Sequence, residues 1–276
     1  MHAERRINTQ LLRILGNALL VALFMFPLAW MVLGSFKSDA DLLSPNPNLF
    51  FTPTLDHWRF IFANWNVETH LFNSLVVSTA TTVLTLILAV PAAYGFSRFP
   101  IWRKSDIVYN LLSIKMIPPI ASIVPLFVLL RQVGLYDTFS ALILLNTSFQ
   151  LPFAILVLKS FMDEIPREID EAAAIDGCGP VGTLWRAILP LSVSGLVCIS
   201  LFVFIFTWNE FLIANTLVGG RLRPLPPVVG LALTHRGILW GPALALGTVV
   251  LLPVLALAFS LSRYMARGLT FGAVKG

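Results

Sequence analysis

Six long apolar stretches limit what this chain can fold into more than any other feature. They cover residues 14–34, 71–96, 107–130, 139–158, 193–214 and 242–261, and Lys115 and Glu210 are the only charged residues within them. A helix that crosses a bilayer needs about 20 apolar residues, so each stretch is long enough for one crossing. Runs such as 19–33 and 244–261 are apolar on every face, which favours helices over the alternating strands of a membrane β-barrel.

Charge is scarce along the whole chain. Asp, Glu, Lys and Arg make up 12% of the 276 residues, hydrophobic residues make up 57%, and the mean hydropathy is +0.83. An ordinary soluble domain carries roughly 25% charged residues. The composition therefore excludes a soluble enzyme and a disordered chain. We predict an all-α polytopic membrane protein with six transmembrane helices, built as one transmembrane domain over residues 1–276 with its core at about 71–263.

The distribution of Lys and Arg predicts how these helices are oriented. If the N-terminus is cytoplasmic, twelve of the nineteen basic residues fall on the cytoplasmic side and six on the outer side, with Lys115 inside a helix. Cytoplasmic loops are enriched in Lys and Arg, so this bias predicts that both termini are cytoplasmic. The net charge of +5 reflects these loops and indicates no nucleic-acid partner.

The inner loop between residues 161 and 190 departs from this pattern. It holds six of the fourteen acidic residues of the chain and two of the nineteen basic ones. The cytoplasmic leaflet is negatively charged, and loops that face it are usually basic. An acidic loop on that side is therefore expected to face protein or water.

The same loop is predicted to form two short helices separated by a glycine break. Pro166 suits a first helical turn, and the alanines at 172–174 are strong helix formers. Gly177 supplies a C-terminal stop, and Pro180 begins a second helix that runs through Arg186. The alanine run gives the first helix a shallow face that another protein could approach closely.

The segment Glu171–Gly177, followed by Leu189-Pro190, resembles the EAA loop of bacterial ABC importer permeases. The family pattern is Glu-Ala-Ala, three residues, Gly, nine residues, Ile, any residue, Leu-Pro, and Ala187 stands where the pattern has Ile. Further segments are similar to the maltose-permease-like branch that imports carbohydrates: Asn73–Leu75, Ala92–Phe96, Met116–Pro119, Glu164–Glu168 and Trp208–Phe211.

This resemblance implies a permease subunit of an ATP-driven importer for a sugar or sugar-like solute in the bacterial plasma membrane. In that family the loop is a coupling helix that sits in a cleft of the ATPase. Its docking residues would here be Glu171, Ala172, Ala173, Asp176 and Gly177. The implied partners are a second permease in a heterodimer, two ATP-binding subunits that carry ATP and Mg, and an external substrate-binding protein.

The sequence itself offers no catalytic or cofactor site. It contains no phosphate-binding Gly-x-x-x-x-Gly-Lys-Ser/Thr segment and no His-Glu-x-x-His metal motif. A Gly-x-Ser-x-Gly nucleophile elbow is also missing. We therefore expect a transport subunit rather than an enzyme, without a metal or cofactor of its own.

Ionisable residues within membrane helices are functional candidates by default. Together with nearby polar and aromatic residues they give six candidates for the solute path or gate: Lys115, Asn146, Gln150, Trp208, Asn209 and Glu210. An alternative hypothesis makes the chain an ion-gradient-driven secondary transporter, with Lys115 and Glu210 as the coupling pair. On straight helices the two residues differ in depth by roughly 12 Å, so a direct contact is not expected unless Pro118 and Pro119 break the third helix.

Overall fold

The computed structural model describes residues 2–46, 49–235 and 237–271, with side chains described between residues 13 and 260. These parts of the chain are almost entirely helical. The β-structure in them is a two-stranded antiparallel ribbon of β1 (Leu233–Thr234) and β2 (Gly237–Ile238).

The described parts contain fourteen α-helices. In chain order they are α1 (His2–Gly34), α2 (Asp39–Leu42), α3 (Asp56–Trp65), α4 (Val67–Arg98), α5 (Lys104–Met116), α6 (Pro119–Gln132), α7 (Phe139–Asp163), α8 (Glu168–Ile175), α9 (Pro180–Thr183), α10 (Leu189–Leu191), α11 (Val193–Trp208), α12 (Leu212–Leu217), α13 (Leu225–Val228) and α14 (Trp240–Phe271). A π-helical turn, Leu184–Ile188, joins α9 to α10, and two 3-10 turns, Gly220–Leu222 and Val229–Ala232, flank α13.

Four of these helices are long and apolar enough to cross a bilayer alone. They are the Arg13–Gly34 part of α1, α4, α7 and the Trp240–Ser260 part of α14. Two further segments pass the same test only as bent pairs, α5 with α6 and the Pro180–Leu191 segment with α11. The described chain therefore has four candidate spans, or six if each bent pair counts as one. The predicted all-helical membrane class is confirmed.

The third apolar stretch is not one straight helix. The axes of α5 and α6 meet at 91°. Ile117 is extended there, with ψ of 120°, because the ring of a following proline disfavours the helical conformation. Pro119 then occupies the first turn of α6, where a missing N–H costs no hydrogen bond.

The fifth apolar stretch is also interrupted. Helix α11 stops at Trp208, and α12 begins at Leu212. The predicted continuous helix over 193–214 is therefore wrong at its C-terminal end. Residues 209–211 form the break and place Glu210 two residues before the start of α12.

The chain divides into two compact units. The first consists of residues 1–67 and 229–252, and the second of residues 68–228 and 253–276. Within the first unit, the Lys37 ammonium lies 4.6 Å from the ring centre of Trp30, and Nε2 of His57 lies 2.9 Å from the Lys37 carbonyl oxygen. The buried side chains Ile61 and Leu246 belong to this unit.

The second unit has two apolar cores. One joins α4, α7, the π-helical turn and α11, and it includes Ala93, Leu158, Ile188 and Val203. The other packs α6, α7 and α12 around side chains such as Leu142. The loop between α7 and α11 is therefore built onto a core that contains α4.

Close contact of α7 and α11 depends on Gly195. A Cβ at this position would lie 2.6 Å from Cγ of Phe161, whereas a Cβ at Gly95 of α4 would meet nothing within 4 Å. We predict that Gly195→Ala lowers the free energy of unfolding by about 1–3 kcal/mol through overpacking. Thermal denaturation of the purified protein in detergent measures the change.

Gly95→Ala is the matched control, since it adds the same methyl group to open space on a helix. It should leave stability unchanged or raise it by up to about 1 kcal/mol. Equal melting temperatures for the two variants would contradict close packing at Gly195.

Candidate functional site

The acidic loop between α7 and α11 has the predicted local structure of a helix, a glycine break and a second helix. Helix α8 ends at Ile175, and Gly177 follows with φ of +80°. The amide of Gly177 donates to the carbonyl of Ala174 at 3.0 Å, and that of Cys178 donates to the carbonyl of Ala173 at 2.9 Å. This pair of bonds is a Schellman cap, which needs a left-handed residue at the position of Gly177.

The outer face of α8 is uncovered within this chain. Glu171, Ala172 and Asp176 are exposed, and Ile175 is 87% exposed. Eight residues of helix span about 12 Å, too short to cross a bilayer. The exposed Ile175 was not among the residues suggested by sequence. The loop therefore combines acidic and apolar side chains on one open surface.

The inner face of α8 is packed against the rest of the second unit. Ala173 is 9% exposed, so its side chain points into the protein rather than to the open surface. The other four docking residues suggested by the sequence, Glu171, Ala172, Asp176 and Gly177, are exposed. In the sequence the neighbours of Ala173 are also alanines, so composition alone did not show which alanine faces inward.

A buried ion pair fixes α8 to the end of α4. Nε of Arg98 lies 2.9 Å from a carboxylate oxygen of Asp170, and the Arg98 side chain is 8% exposed. Arg98 also donates from Nη2 to the carbonyl of Ile165 at 2.9 Å, and the Tyr94 hydroxyl donates to Asp170 at 3.3 Å. Next to it, the Ser97 hydroxyl donates to a carboxylate oxygen of the α7 residue Asp163 at 2.7 Å.

We call Tyr94, Ser97, Arg98, Asp163 and Asp170 the Arg98 junction. Beside it lies a cavity of about 310 Å³, which Arg167, Glu171 and Cys178 also line. The sequence showed Arg98 as one of the basic residues of an inner loop, but gave no sign that it would pair with an acid so far along the chain.

Lys115 is held at the end of α5 by residues of α7. Its ammonium donates to the Phe149 carbonyl at 3.1 Å and to Oε1 of Gln150 at 3.2 Å. It also lies 5.9 Å and 5.7 Å from the ring centres of Phe153 and Phe206. Lys115 and Gln150 are thus brought together, beside aromatic rings.

Glu210 has a different environment. Its two carboxylate oxygens accept hydrogen bonds from the amides of Ile213 at 2.7 Å and Ala214 at 2.9 Å. These amides lie in the first turn of α12, where no earlier carbonyl in the helix can reach them. Glu210 therefore caps α12, and Lys115 does not appear among its hydrogen-bond or ion-pair partners in the described chain.

The remaining candidates for the solute path are placed separately. Asn146 is buried and donates to the Leu142 carbonyl at 2.9 Å, and it borders the same narrow pocket as Glu210. Trp208 is 1% exposed and stacks on Phe204, so its ring offers no open face in this conformation. Asn209 is exposed and donates to the carbonyl of Ile205.

Because Lys115 and Glu210 have separate partners, their contributions to stability should be independent. We predict that Lys115→Met and Glu210→Gln change the free energy of unfolding additively, within about 0.5 kcal/mol. Denaturation of both single variants and the double variant in detergent measures the interaction energy. A coupling well above 1 kcal/mol would show that the two charges interact, as the ion-gradient hypothesis requires.

The sequence profile described as "Binding-protein-dependent transport system inner membrane component" matches residues 89–271. The matched part includes α7, the α8 loop, α11 and α14. It therefore covers both the exposed loop and the residues around Lys115 and Glu210.

Two relatives match over nearly the whole chain. The trehalose/maltose transport system permease protein MalG of Thermococcus litoralis is 32% identical, covering 99% of this chain and 99% of the relative. The trehalose transport system permease protein SugB of Mycobacterium tuberculosis is 34% identical, covering 95% and 94%.

One solved structure has the same fold. It is a crystal structure of a bacterial ABC transporter involved in the import of the acidic polysaccharide alginate, and it superposes with a TM-score of 0.75 at 20% identity, covering 92% of this chain and 97% of the other. The profile match and the full-length relatives agree with the resemblance of residues 171–190. The chain belongs to the family of binding-protein-dependent transport system inner membrane components, the permeases of ABC transporters.

Proposed function

We propose that this permease imports a sugar or sugar-like solute and that α8 is its docking element for an ATP-hydrolysing partner. ATP and Mg bind on that partner, and binding of ATP moves the loop so that the spans open outward to accept the solute. Hydrolysis returns the spans to the inward-open state. The observation that carries this proposal is the uncovered face of α8, rigidly capped at Gly177 and anchored on its other side by Arg98.

The exposed surface of α8 fits a protein partner better than it fits lipid. Exposed Glu171 and Asp176 would be repelled by the negative cytoplasmic leaflet. Ile175 and Val181 are exposed, and burying their apolar side chains against another surface would lower the free energy of the complex. A protein cleft with basic residues at its rim satisfies both requirements.

The family assignment supports a sugar as the solute. Relatives at 31% to 34% identity are named for the uptake of trehalose, trehalose or maltose, and diacetylchitobiose. Another, at 32% identity, is named for sulfoquinovosyl glycerol. We extend carbohydrate uptake to this chain and leave the individual sugar open.

The proposed topology counts each bent helix pair as one span, which gives six. With both termini cytoplasmic, the α8 loop lies between the fourth and fifth spans on the cytoplasmic side. The complete importer then contains this chain, a second permease, two ATPase subunits and an external binding protein. Dependence on the ATPase and on the binding protein follows from the family, and the heterodimer is our proposal.

Gly177 allows a sharp test of docking, because a side chain there has room within this chain and its backbone strain is matched at Gly134. A Cβ at Gly177 meets nothing within 4 Å in this chain, and asparagine is tolerated in the left-handed conformation of a helix cap. We predict that Gly177→Asn keeps the permease folded but lowers the affinity of the ATPase roughly tenfold or more, equivalent to about 1.4 kcal/mol. Copurification with the tagged permease and solute uptake by cells measure the loss.

Gly134 provides a matched control. It follows α6 with φ of +74°, its Cβ would also meet open space, and the amide of Leu135 donates to the carbonyl of Leu130 in the same type of cap. Gly134→Asn should copurify with the ATPase as the unmodified permease does. Docking through α8 is refuted if Gly177→Asn retains normal copurification and uptake at normal expression.

The class of solute is tested through the binding protein that delivers it. We predict that the binding protein of this importer binds maltose, trehalose or another oligosaccharide in calorimetric titration and does not bind amino acids or phosphate. A binding protein selective for an amino acid would contradict the carbohydrate proposal but not the assignment to the family.

A further inference from the structure

The Arg98 junction connects parts of the chain that are distant in sequence. Arg98 is the last residue of α4, Asp163 is the last residue of α7, and Asp170 lies in the first turn of α8. Three other ion pairs in the described residues join positions only three or four apart in the sequence: Arg59 with Asp56, Arg103 with Asp106, and Lys159 with Asp163. Arg98 with Asp170 therefore stands out as a tertiary contact.

Three contacts hold this junction at the same time. Nε of Arg98 lies 2.9 Å from a carboxylate oxygen of Asp170 in an ion pair that is not aligned as a hydrogen bond, and Nη2 donates to the Ile165 carbonyl, so the side chain contacts α8 and the linker before α8. The Tyr94 hydroxyl donates to the other oxygen of the Asp170 carboxylate. A shift of α8 against α4 would weaken these contacts together.

Burial makes such a shift costly. The Arg98 and Asp170 side chains are 8% and 21% exposed, so water cannot readily replace a lost partner. Separating one charge from its partner inside a protein is strongly unfavourable, although replacing both partners by apolar groups need not be. The junction therefore opposes independent movement of α4 and α8.

The covalent connections of α8 lead elsewhere. Through the chain, α8 is joined to α7 on one side and, through α9, the π-helical turn and α10, to α11 on the other. Its link to α4 is made through side chains and packing. Without the Arg98 junction, movement of the loop would reach α4 only through the apolar core.

We propose that Arg98 and Asp170 are a positioning pair that makes α8 and the end of α4 move as one rigid unit, so that displacement of the docking loop is passed directly to the α4 span. This inference rests on the proposed docking of α8 to the ATPase and adds the path that the movement takes within this chain. Tyr94 and Ser97 support the pair by holding Asp170 and Asp163.

The test measures distances in the complete importer, reconstituted in lipid nanodiscs with its ATPase and binding protein. Spin labels are attached to cysteines at Ile87 on α4 and Glu168 in the first turn of α8, which are both exposed and lie outside the proposed docking residues. The two natural cysteines are first replaced by Cys178→Ser and Cys198→Ala, since both are free thiols. Double electron–electron resonance spectroscopy then gives the distribution of distances between the two spin labels, first without nucleotide and then after trapping with ATP and orthovanadate.

With the junction intact, we expect the same Ile87–Glu168 distance in both states. Asp170→Asn keeps the shape of the side chain but removes its charge. Arg98→Lys keeps the charge but replaces the guanidinium, which contacts Asp170 and the Ile165 carbonyl at the same time, by a single ammonium group. Both variants should give a distance that shifts or broadens between the two states, whereas Asp170→Glu should restore the single distance. Arg103→Gln, which removes an exposed ion pair on a neighbouring loop, should behave as the unmodified protein.

Two results would overturn the inference. One is a change in the Ile87–Glu168 distance on trapping when the junction is intact. The other is a constant distance in both Asp170→Asn and Arg98→Lys. Failure of docking itself is seen separately, because the ATPase would then not copurify with the permease.

Discussion

The rest of the structure depends on the need to satisfy backbone hydrogen bonds where water is absent. Inside a bilayer, a peptide group without a partner costs several kcal/mol, so spans are helical and interruptions need substitutes for the lost bonds. In this chain the Glu210 carboxylate supplies such a substitute, because it accepts from two amides at the start of α12. Lys115 instead ties the end of α5 to α7, where it donates to the carbonyl of Phe149.

These separate attachments to backbone groups explain why the two charges are not paired with each other. Lys115 lies two residues before the break at Ile117, and Glu210 lies within the break at residues 209–211. The hypothesis of an ion-coupling pair required them to meet, and the family assignment independently favours transport that depends on a binding protein. The chain is a permease component of the inner membrane and is not itself the catalytic subunit, as the sequence predicted.

Features that are encoded locally were predictable from the sequence. Long apolar runs predicted the membrane helices. Gly177 predicted the end of α8, because the left-handed position of a helix cap is usually occupied by glycine. The EAA-like spacing identified the family. By contrast, the right-angle bend after α5 depends on the backbone conformation at two consecutive prolines. The sequence indicated that these prolines could break the helix, but it did not give the angle of the bend.

Contacts between distant segments were not predictable. The inward orientation of Ala173 and the pairing of Arg98 with Asp170 depend on how α8 packs against α4. A basic residue at the end of a span satisfies the rule for cytoplasmic loops whether or not it has a partner, so Arg98 carried no distinguishing signal. The role of Glu210 was also ambiguous from the sequence. A glutamate that caps a helix and a glutamate that lines the solute path can occupy the same position in an apolar stretch.

The attachment of Lys115 and Glu210 to backbone groups also bears on the energetics of transport. One elementary charge that crosses the full membrane potential gains or loses about 2.3 kcal/mol per 100 mV. Charges held to backbone groups in this way cross only as much of that field as the helices that carry them. The electrical work that Lys115 and Glu210 add to a transport cycle is therefore set by how far those helices move.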